Sequence, residues 1–106
     1  MMLKFKFLII TLVMVCAQNV LGQTKTITGL VSDEAGLPLP GVTVVVQGTV
    51  NGTTTDFDGN YSIGNVGPED RLVYTYIGMV SQTLSVGQQT TINVTLLESY
   101  ESLEEV

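Results

Sequence analysis

After residue 22 the chain consists of short β-branched runs separated by turn residues. Twelve valines and thirteen threonines follow position 22, whereas Ala35 is the one alanine there. β-Branched residues favour strands, and alanine is the strongest helix former. Ten glycines and three prolines interrupt this stretch at short intervals. Short alternating runs between such turn signals predict an all-β sandwich or barrel.

The alternation of apolar and polar residues predicts about seven strands, the usual number for a single small Greek-key β-sandwich. They are predicted at Thr24–Ser32, Val42–Gln47, Thr53–Asp56, Tyr61–Ile63, Leu72–Ile77, Gln82–Val86 and Thr90–Leu97. Leu72–Ile77 is nearly continuous in apolar residues, which indicates a strand buried on both faces. In the last strand Ile92, Val94 and Leu96 should point inward, because strand residues alternate between two faces.

Residues 1–22 have a different character and read as an export signal. Lys4 and Lys6 precede an uncharged apolar run, Phe7–Ala17, which is shorter than the roughly 20 residues that span a bilayer. The small residue Gly22 favours cleavage before Gln23. This pattern predicts a cleavable signal peptide at residues 1–22 and an exported domain. A lipoprotein signal cleaved before Cys16, a membrane anchor and a buried helix are the alternatives.

The charge and residue types of the domain exclude several functions. The chain has ten acids, four Lys or Arg and no histidine. Because two of the cations lie in the signal, residues 23–106 carry a net charge of −8. Nucleic-acid binding rests on clustered Lys and Arg, so nucleic acid is excluded as a partner. The missing histidine also removes the commonest general base and the commonest zinc ligand.

Candidate catalytic chemistry is sparse. Serine and threonine nucleophiles need a neighbouring base, and Lys25 is the single lysine after the signal. The carboxylate pairs, including Asp33-Glu34 and Glu69-Asp70, fall in predicted turns. Paired acids that cleave sugars need to face each other across a cleft. We therefore predict that the chain is not an enzyme and has no catalytic residue and no cofactor.

One acidic loop partly matches a calcium site. Asp56, Asp58 and Asn60 correspond to the first three ligand positions of a calcium loop. The sixth position is Tyr61 rather than glycine, and the twelfth is Gly67 rather than glutamate. A hairpin turn accounts for the same residues, so no metal site is predicted.

Two tyrosines and the C-terminal residues are candidate contact sites. Alternation places Tyr74 and Tyr76 on one strand face, where they would form either a partner-binding face or part of the core. After Leu97 the strand pattern stops, and residues 98–106 hold four acids in nine positions. Such a charge run predicts a solvated linker.

Three segments carry a resemblance to a known family: Ile27–Val44, Gly48–Ile63 and Leu72–Met79. In that order they resemble the carboxypeptidase-regulatory-like domain, a transthyretin-like (prealbumin-like) β-sandwich. The subtype is similar to the N-terminal extension of SusC/RagA-type TonB-linked outer-membrane receptors of Bacteroidetes. The resemblance implies one domain over residues 23–97, on the periplasmic side of the outer membrane.

The tail extends the resemblance. In that receptor family an acidic linker leads into a TonB box, which is an acid followed by valines and a Gly-Tyr-Gly. Leu103, Glu104, Glu105 and Val106 resemble the first residues of such a box, so residues 98–106 are expected to be a linker running into a truncated box. The chain is then expected to be either a piece of a longer receptor or the product of a truncated reading frame.

The resemblance also implies partners. These are a TonB-type energy-coupling protein, the receptor plug and barrel in cis, and a surface lipoprotein. The domain would position or modulate energy coupling during uptake of a glycan or peptide nutrient. Two alternatives stay open: a free-standing secreted or surface module that binds carbohydrate or protein, and an accessory domain of an enzyme.

Overall fold

A computed structural model describes residues 23–99, and within this range the chain forms seven strands and no helix. The strands are β1 (Lys25–Ser32), β2 (Thr43–Val46), β3 (Gly52–Thr54), β4 (Asn60–Val66), β5 (Arg71–Thr75), β6 (Gln82–Ser85) and β7 (Val94–Thr95). This confirms the predicted all-β sandwich. The predicted signal peptide and residues 100–106 lie outside the described residues. Since residues 23–99 hold no helix, none there is long and apolar enough to cross a membrane.

The strands form two sheets. One has the order β4-β1-β7 and the other the order β3-β2-β5-β6. All pairs are antiparallel except β1 with β7, which run parallel with Val31 opposite Val94. The first and last strands of the described chain therefore lie side by side.

The core lies between the two sheets. β2 shows the strand period directly, since Val44 and Val46 are buried and Val45, on the other face, is half-buried. Ile92, Val94 and Leu96 are also buried, as their alternation predicts. The buried apolar side chains are Ile27, Val31, Leu39, Val42, Val44, Val46, Tyr61, Ile63, Val66, Leu72, Tyr74, Val86, Ile92, Val94 and Leu96.

The prediction that Leu72–Ile77 is buried on both faces is wrong. β5 ends at Thr75, and the chain turns at once, with the Met79 N–H donating to the Tyr76 carbonyl. Leu72 is buried, but Thr75 is exposed and Ile77 is 96% exposed. The sandwich covers one face of this sheet, so an apolar run does not by itself place a second layer over the other face.

Two other strands differ from the prediction by three or more residues at one end. β4 continues to Val66 rather than ending at Ile63, because its pairing with β1 extends to Lys25 opposite Val66. β7 covers two residues rather than the whole of 90–97, since the chain there contacts β1 by a few separate hydrogen bonds. Both differences arise from pairing between distant segments.

Gly29 allows the C-terminal segment to cross β1 closely. A Cβ atom at this position would lie 1.9 Å from the Ile92 carbonyl oxygen and 2.8 Å from Cε1 of Tyr61. Only glycine leaves room for that approach. The Ile92 carbonyl is thereby brought against the core.

Candidate functional site

The segment from Thr90 to Ser99 carries the chain from the core to the predicted partner-binding tail. Along β1, the Thr28 N–H donates to the Thr90 carbonyl, and the Leu96 N–H donates to the Ser32 carbonyl. The side-chain oxygen of Asn93 accepts the Leu30 N–H at 3.0 Å. Residues 90–96 are thus hydrogen-bonded to β1.

The same segment then crosses to the other sheet. The Gln82 side chain donates to the Thr95 carbonyl at 2.5 Å. The Val80 N–H donates to the Leu97 carbonyl at 2.8 Å, and the Ser99 N–H donates to the Gly78 carbonyl at 2.9 Å. Residues 97–99 therefore run antiparallel to residues 78–80, with Glu98 paired to Met79.

The place where the tail leaves has an apolar and acidic surface. Ile77 is 96% exposed, Val80 49% and Leu97 48%. Glu98 follows Leu97, and its backbone N–H donates to Oε1 of Glu34 at 3.4 Å. We call this set, Ile77, Val80, Leu97, Glu98 and Glu34, the exit surface. The sequence did not indicate that Ile77 is exposed, because its apolar run predicts a buried strand.

The predicted TonB-box-like residues, Leu103, Glu104, Glu105 and Val106, lie outside the described residues. Their role remains a prediction. The described residues end at Ser99, four positions before Leu103 in the sequence.

The predicted contact face at Tyr74 and Tyr76 is corrected by the structure. Tyr74 is fully buried, and Tyr76 is half-buried and packed against the core. The two do share a face, but that face points inward, so Tyr74 is not available to a partner. Alternation establishes which residues share a face without telling which face is covered.

Tyr74 instead belongs to a hydrogen-bonded chain in the core. The Tyr61 hydroxyl donates to the Ile92 carbonyl at 2.6 Å and lies 2.7 Å from the Tyr74 hydroxyl. Burial raises the pKa of both phenols, and the hydrogen bond to Tyr61 raises the pKa of Tyr74 further. The bond from Tyr74 acts in the opposite direction on the pKa of Tyr61. Both hydroxyls are neutral at physiological pH and have a structural role.

The Asp56, Asp58 and Asn60 loop is a hairpin turn. Oδ1 of Asp56 accepts the N–H groups of Asp58 at 2.9 Å and Asn60 at 3.0 Å. Gly59 has a φ of 79°, the left-handed conformation that such a turn requires. Among residues 23–99, no group of three acidic, histidine or cysteine side chains is arranged to hold a metal ion. The turn interpretation accounts for this loop.

A shallow polar groove lies over the three-stranded sheet. It has a volume of about 380 Å³, comparable with the smaller ligand pockets of proteins. Its lining residues are Thr28, Gly29, Leu30, Asn60, Tyr61, Thr91 and Asn93. Among the described residues, short polar side chains dominate the lining and no lining residue is charged.

Comparison with known proteins assigns the sandwich to a family. The family described as CarboxypepD_reg-like domain matches residues 27–106, a range that takes in β2 to β7 and most of β1. The chain belongs to this family. This confirms the resemblance of the sequence to the carboxypeptidase-regulatory-like domain.

Relatives of this CarboxypepD_reg-like chain are TonB-dependent receptors. It is 39% identical over 104 residues to TonB-dependent receptor P3 of Formosa agariphila, covering 97% of this chain and 10% of that receptor. It is 43% identical over 88 residues to receptor P39 of the same organism, covering 83% and 8%. It is 43% identical over 84 residues to TonB-dependent receptor SusC of Bacteroides thetaiotaomicron, covering 79% and 8%. The chain therefore spans about a tenth of the length of the curated relatives it matches.

A solved structure shares the fold. A chain of a cohesin-X-dockerin complex from Acetivibrio cellulolyticus matches with a TM-score of 0.53 and 20% identity. The match covers 67% of this chain and 52% of that one. At this identity the likeness concerns the fold alone.

Proposed function

We propose that this CarboxypepD_reg-like domain is the non-catalytic N-terminal domain of a TonB-dependent outer-membrane receptor, on the periplasmic side. In this proposal it positions the segment that the energy-coupling protein engages. One observation carries the proposal: nearly the whole chain aligns with receptors, while filling about a tenth of their length. The export-signal pattern of residues 1–22 supports a location in the cell envelope.

The hydrogen bonding of residues 97–99 supports the positioning role. The Ser99 N–H donates a hydrogen bond to the Gly78 carbonyl. An extended chain advances at most about 3.6 Å per residue. Four positions separate Ser99 from Leu103, the first TonB-box-like residue, so the chain between them can span at most roughly 15 Å. A coupling protein that pairs with the box as an added strand would work beside the sandwich.

The remaining partners and the cargo belong to the same proposal. The receptor's plug and barrel would follow in cis, and a surface lipoprotein would assist at the other side of the membrane. The cargo would be a glycan or a peptide. Its identity would be set by the barrel, the plug and the surface partner.

Deleting residues 23–97 from the full receptor tests the proposal. We expect weaker binding of the coupling protein's periplasmic domain and slower energised uptake, with unchanged receptor abundance in the outer membrane. As a control, an inert flexible linker of equal length replaces the sandwich, which separates loss of the domain from loss of spacing. Unchanged uptake together with unchanged coupling-protein affinity would refute the proposal.

The polar groove favours a second candidate, binding of carbohydrate by the sandwich itself. Asn60, Asn93, Thr28 and Thr91 offer amide and hydroxyl groups that suit sugar hydroxyls. Tyrosine fluorescence is a poor probe here, because Tyr61 and Tyr74 are buried. Backbone amide shifts at Asn60 and Asn93 during titration with oligosaccharides report directly, and no shift at millimolar ligand would exclude this candidate.

A further inference from the structure

The first and last segments of the sandwich lie side by side and run in the same direction. Gln23 lies just before the start of β1, and β7 is parallel to β1. At the end of β1 the Ser32 carbonyl accepts the Leu96 N–H, and Ser99 is three residues further along the chain. A pull on Gln23 and Ser99 therefore acts in opposite directions along two neighbouring strands.

Hydrogen bonds join the two segments from the middle of β1 to its end. The Thr28 N–H donates to the Thr90 carbonyl at 3.0 Å, and the Thr28 carbonyl accepts the Ile92 N–H at 2.9 Å. The bond from Leu96 to Ser32 has a length of 2.9 Å. Bonds of a parallel pair are evenly spaced along the strands. A pull along the strands therefore loads these bonds together rather than one after another.

The side chain of Asn93 completes this row of bonds. In a regular parallel pair the Leu30 N–H would donate to the Ile92 carbonyl. That carbonyl instead accepts the Tyr61 hydroxyl at 2.6 Å. The Leu30 N–H donates to Oδ1 of Asn93 at 3.0 Å. A side-chain amide thus replaces a backbone acceptor in the middle of the row.

The C-terminal segment is also held by the core and by the second sheet. Ile92, Val94 and Leu96 are buried, so sliding this segment along β1 would expose apolar surface to water, which is unfavourable. Backbone hydrogen bonds join residues 97–99 to residues 78–80. The segment cannot move along β1 without breaking contacts with both sheets.

A pull between the two ends of the sandwich bypasses its other strands, because β1 and β7 are direct neighbours. Some side-chain bonds lie off this path. Nδ2 of Asn51 donates to the Gly64 carbonyl at 2.8 Å and joins the loop before β3 to β4. Asn51 therefore provides a matched comparison for Asn93, since each amide makes a bond to the backbone of a distant segment.

We propose that residues 28–32 and 90–96 form a mechanical clamp that keeps the sandwich folded when the chain is pulled at Ser99. The clamp consists of described residues alone. That the energy-coupling protein is the source of the pull rests on the function proposed above, whereas the resistance to force is a property of the fold. A clamped sandwich transmits a pull without unfolding, so the distance between its two ends stays constant.

Single-molecule pulling of the full chain in two directions tests the clamp. Cys16→Ser removes the one native cysteine, so that handles attach at chosen positions. Handles at Gln23→Cys and Ser99→Cys pull along the strands. Handles at Ala35→Cys and Ser99→Cys open the pair from one end, because Ala35 follows the end of β1. We expect a several-fold higher unfolding force along the strands, since forced unfolding depends on the unfolding barrier and the bonds must break together.

Two variants then test the contribution of the Asn93 bond. With handles at positions 23 and 99, Asn93→Ala should lower the unfolding force and Asn51→Ala should leave it nearly unchanged. Each variant loses one side-chain bond to a backbone group, so the two should lose similar stability in chemical denaturation. Equal forces in the two pulling directions would overturn the proposal, and so would equal losses of force in Asn93→Ala and Asn51→Ala.

The pulling measurement is independent of the function proposed above, because it involves no coupling protein. A sandwich that unfolds equally easily in both directions would refute the clamp and leave the proposed function standing. A receptor that keeps its uptake and its coupling-protein affinity without residues 23–97 would refute the proposed function and leave the clamp intact.

Discussion

The hydroxyl oxygens of Tyr61 and Tyr74 lie 2.7 Å apart in the core, one from each sheet of the sandwich. Tyr61 uses its one hydrogen to donate to the Ile92 carbonyl, so Tyr74 must donate to Tyr61. The rings meet edge to face, with centroids 5.7 Å apart. This directed chain links both sheets to the C-terminal segment that leads to the tail.

Because the hydrogen bonds run in one direction, replacing Tyr61 or Tyr74 should have different effects on stability. Tyr74→Phe removes one donor and leaves the bond from Tyr61 to Ile92, which should cost roughly 0.5–1.5 kcal/mol of unfolding free energy. Tyr61→Phe leaves the buried Tyr74 hydroxyl and the buried Ile92 carbonyl without their hydrogen-bond partner, which should cost about 1–3 kcal/mol of unfolding free energy. Chemical denaturation of the two variants measures both costs. A larger loss in Tyr74→Phe would contradict the assigned direction.

Stability should fall in alkaline solution. The pKa of each buried phenol is raised in the folded domain, while an unfolded tyrosine titrates near about 10. The contribution of the neutral pair is therefore fully present below that pH and is lost as pH rises above it, because the unfolded chain releases the protons first. Denaturation midpoints measured between pH 8 and 11 report this loss of stability. The double variant Tyr61→Phe with Tyr74→Phe should lose less stability at alkaline pH. If it loses as much as the unaltered domain, the alkaline loss of stability comes from other groups.

Thr55 forms two hydrogen bonds to the loop between β1 and β2. It is 5% exposed, and its hydroxyl accepts the Val42 N–H at 2.9 Å and donates to the Leu39 carbonyl at 2.5 Å. Thr55→Val keeps the shape and leaves both backbone groups unpaired, which should cost about 1–3 kcal/mol. Thr54→Val, at an exposed position of β3, is the matched control and should change the unfolding free energy little. Equal values for the two variants would show that the hydroxyl contributes nothing.

Two loops share one hydrogen-bonding pattern. Oδ1 of Asp33 accepts the N–H groups of Ala35 and Leu37, just as Oδ1 of Asp56 accepts those of Asp58 and Asn60. We expect Asp56→Ala to cost about 1 kcal/mol and Asp56→Asn less, because the amide oxygen retains an acceptor. Asp58→Ala, in the same loop, should be neutral in denaturation. Added calcium should not alter these values, and a calcium-dependent rise in stability would restore the metal interpretation.

Local patterns predicted the parts of this fold that depend on neighbours in sequence. The alternation of Ile92, Val94 and Leu96 predicted their burial, and the turn residues around Asp56 and Gly59 predicted a hairpin. The resemblance predicted the family, because its three segments carry the turns and strands that define it.

Pairing between segments distant in sequence could not be predicted from local patterns. The parallel contact of β1 with β7, the close approach at Gly29 and the inward direction of Tyr74 all depend on where the second sheet lies. Ile77 looked like a core residue because it continues an apolar run, yet the chain turns one residue earlier. The exit surface arises from that turn meeting Leu97, a contact with no local signal.

In the proposed function, a folded sandwich supports engagement of the tail by the coupling protein. The most direct measurement is the affinity of that protein's periplasmic domain for full receptors carrying Gly29→Ala or Gly64→Ala. A Cβ at Gly29 would collide with the Ile92 carbonyl, whereas one at Gly64 would meet its nearest neighbour at 3.7 Å. We predict weaker binding in Gly29→Ala, alongside loss of protease resistance in the sandwich, and unchanged binding in Gly64→Ala. Unchanged binding by a Gly29→Ala receptor whose sandwich has become protease-sensitive would contradict the account.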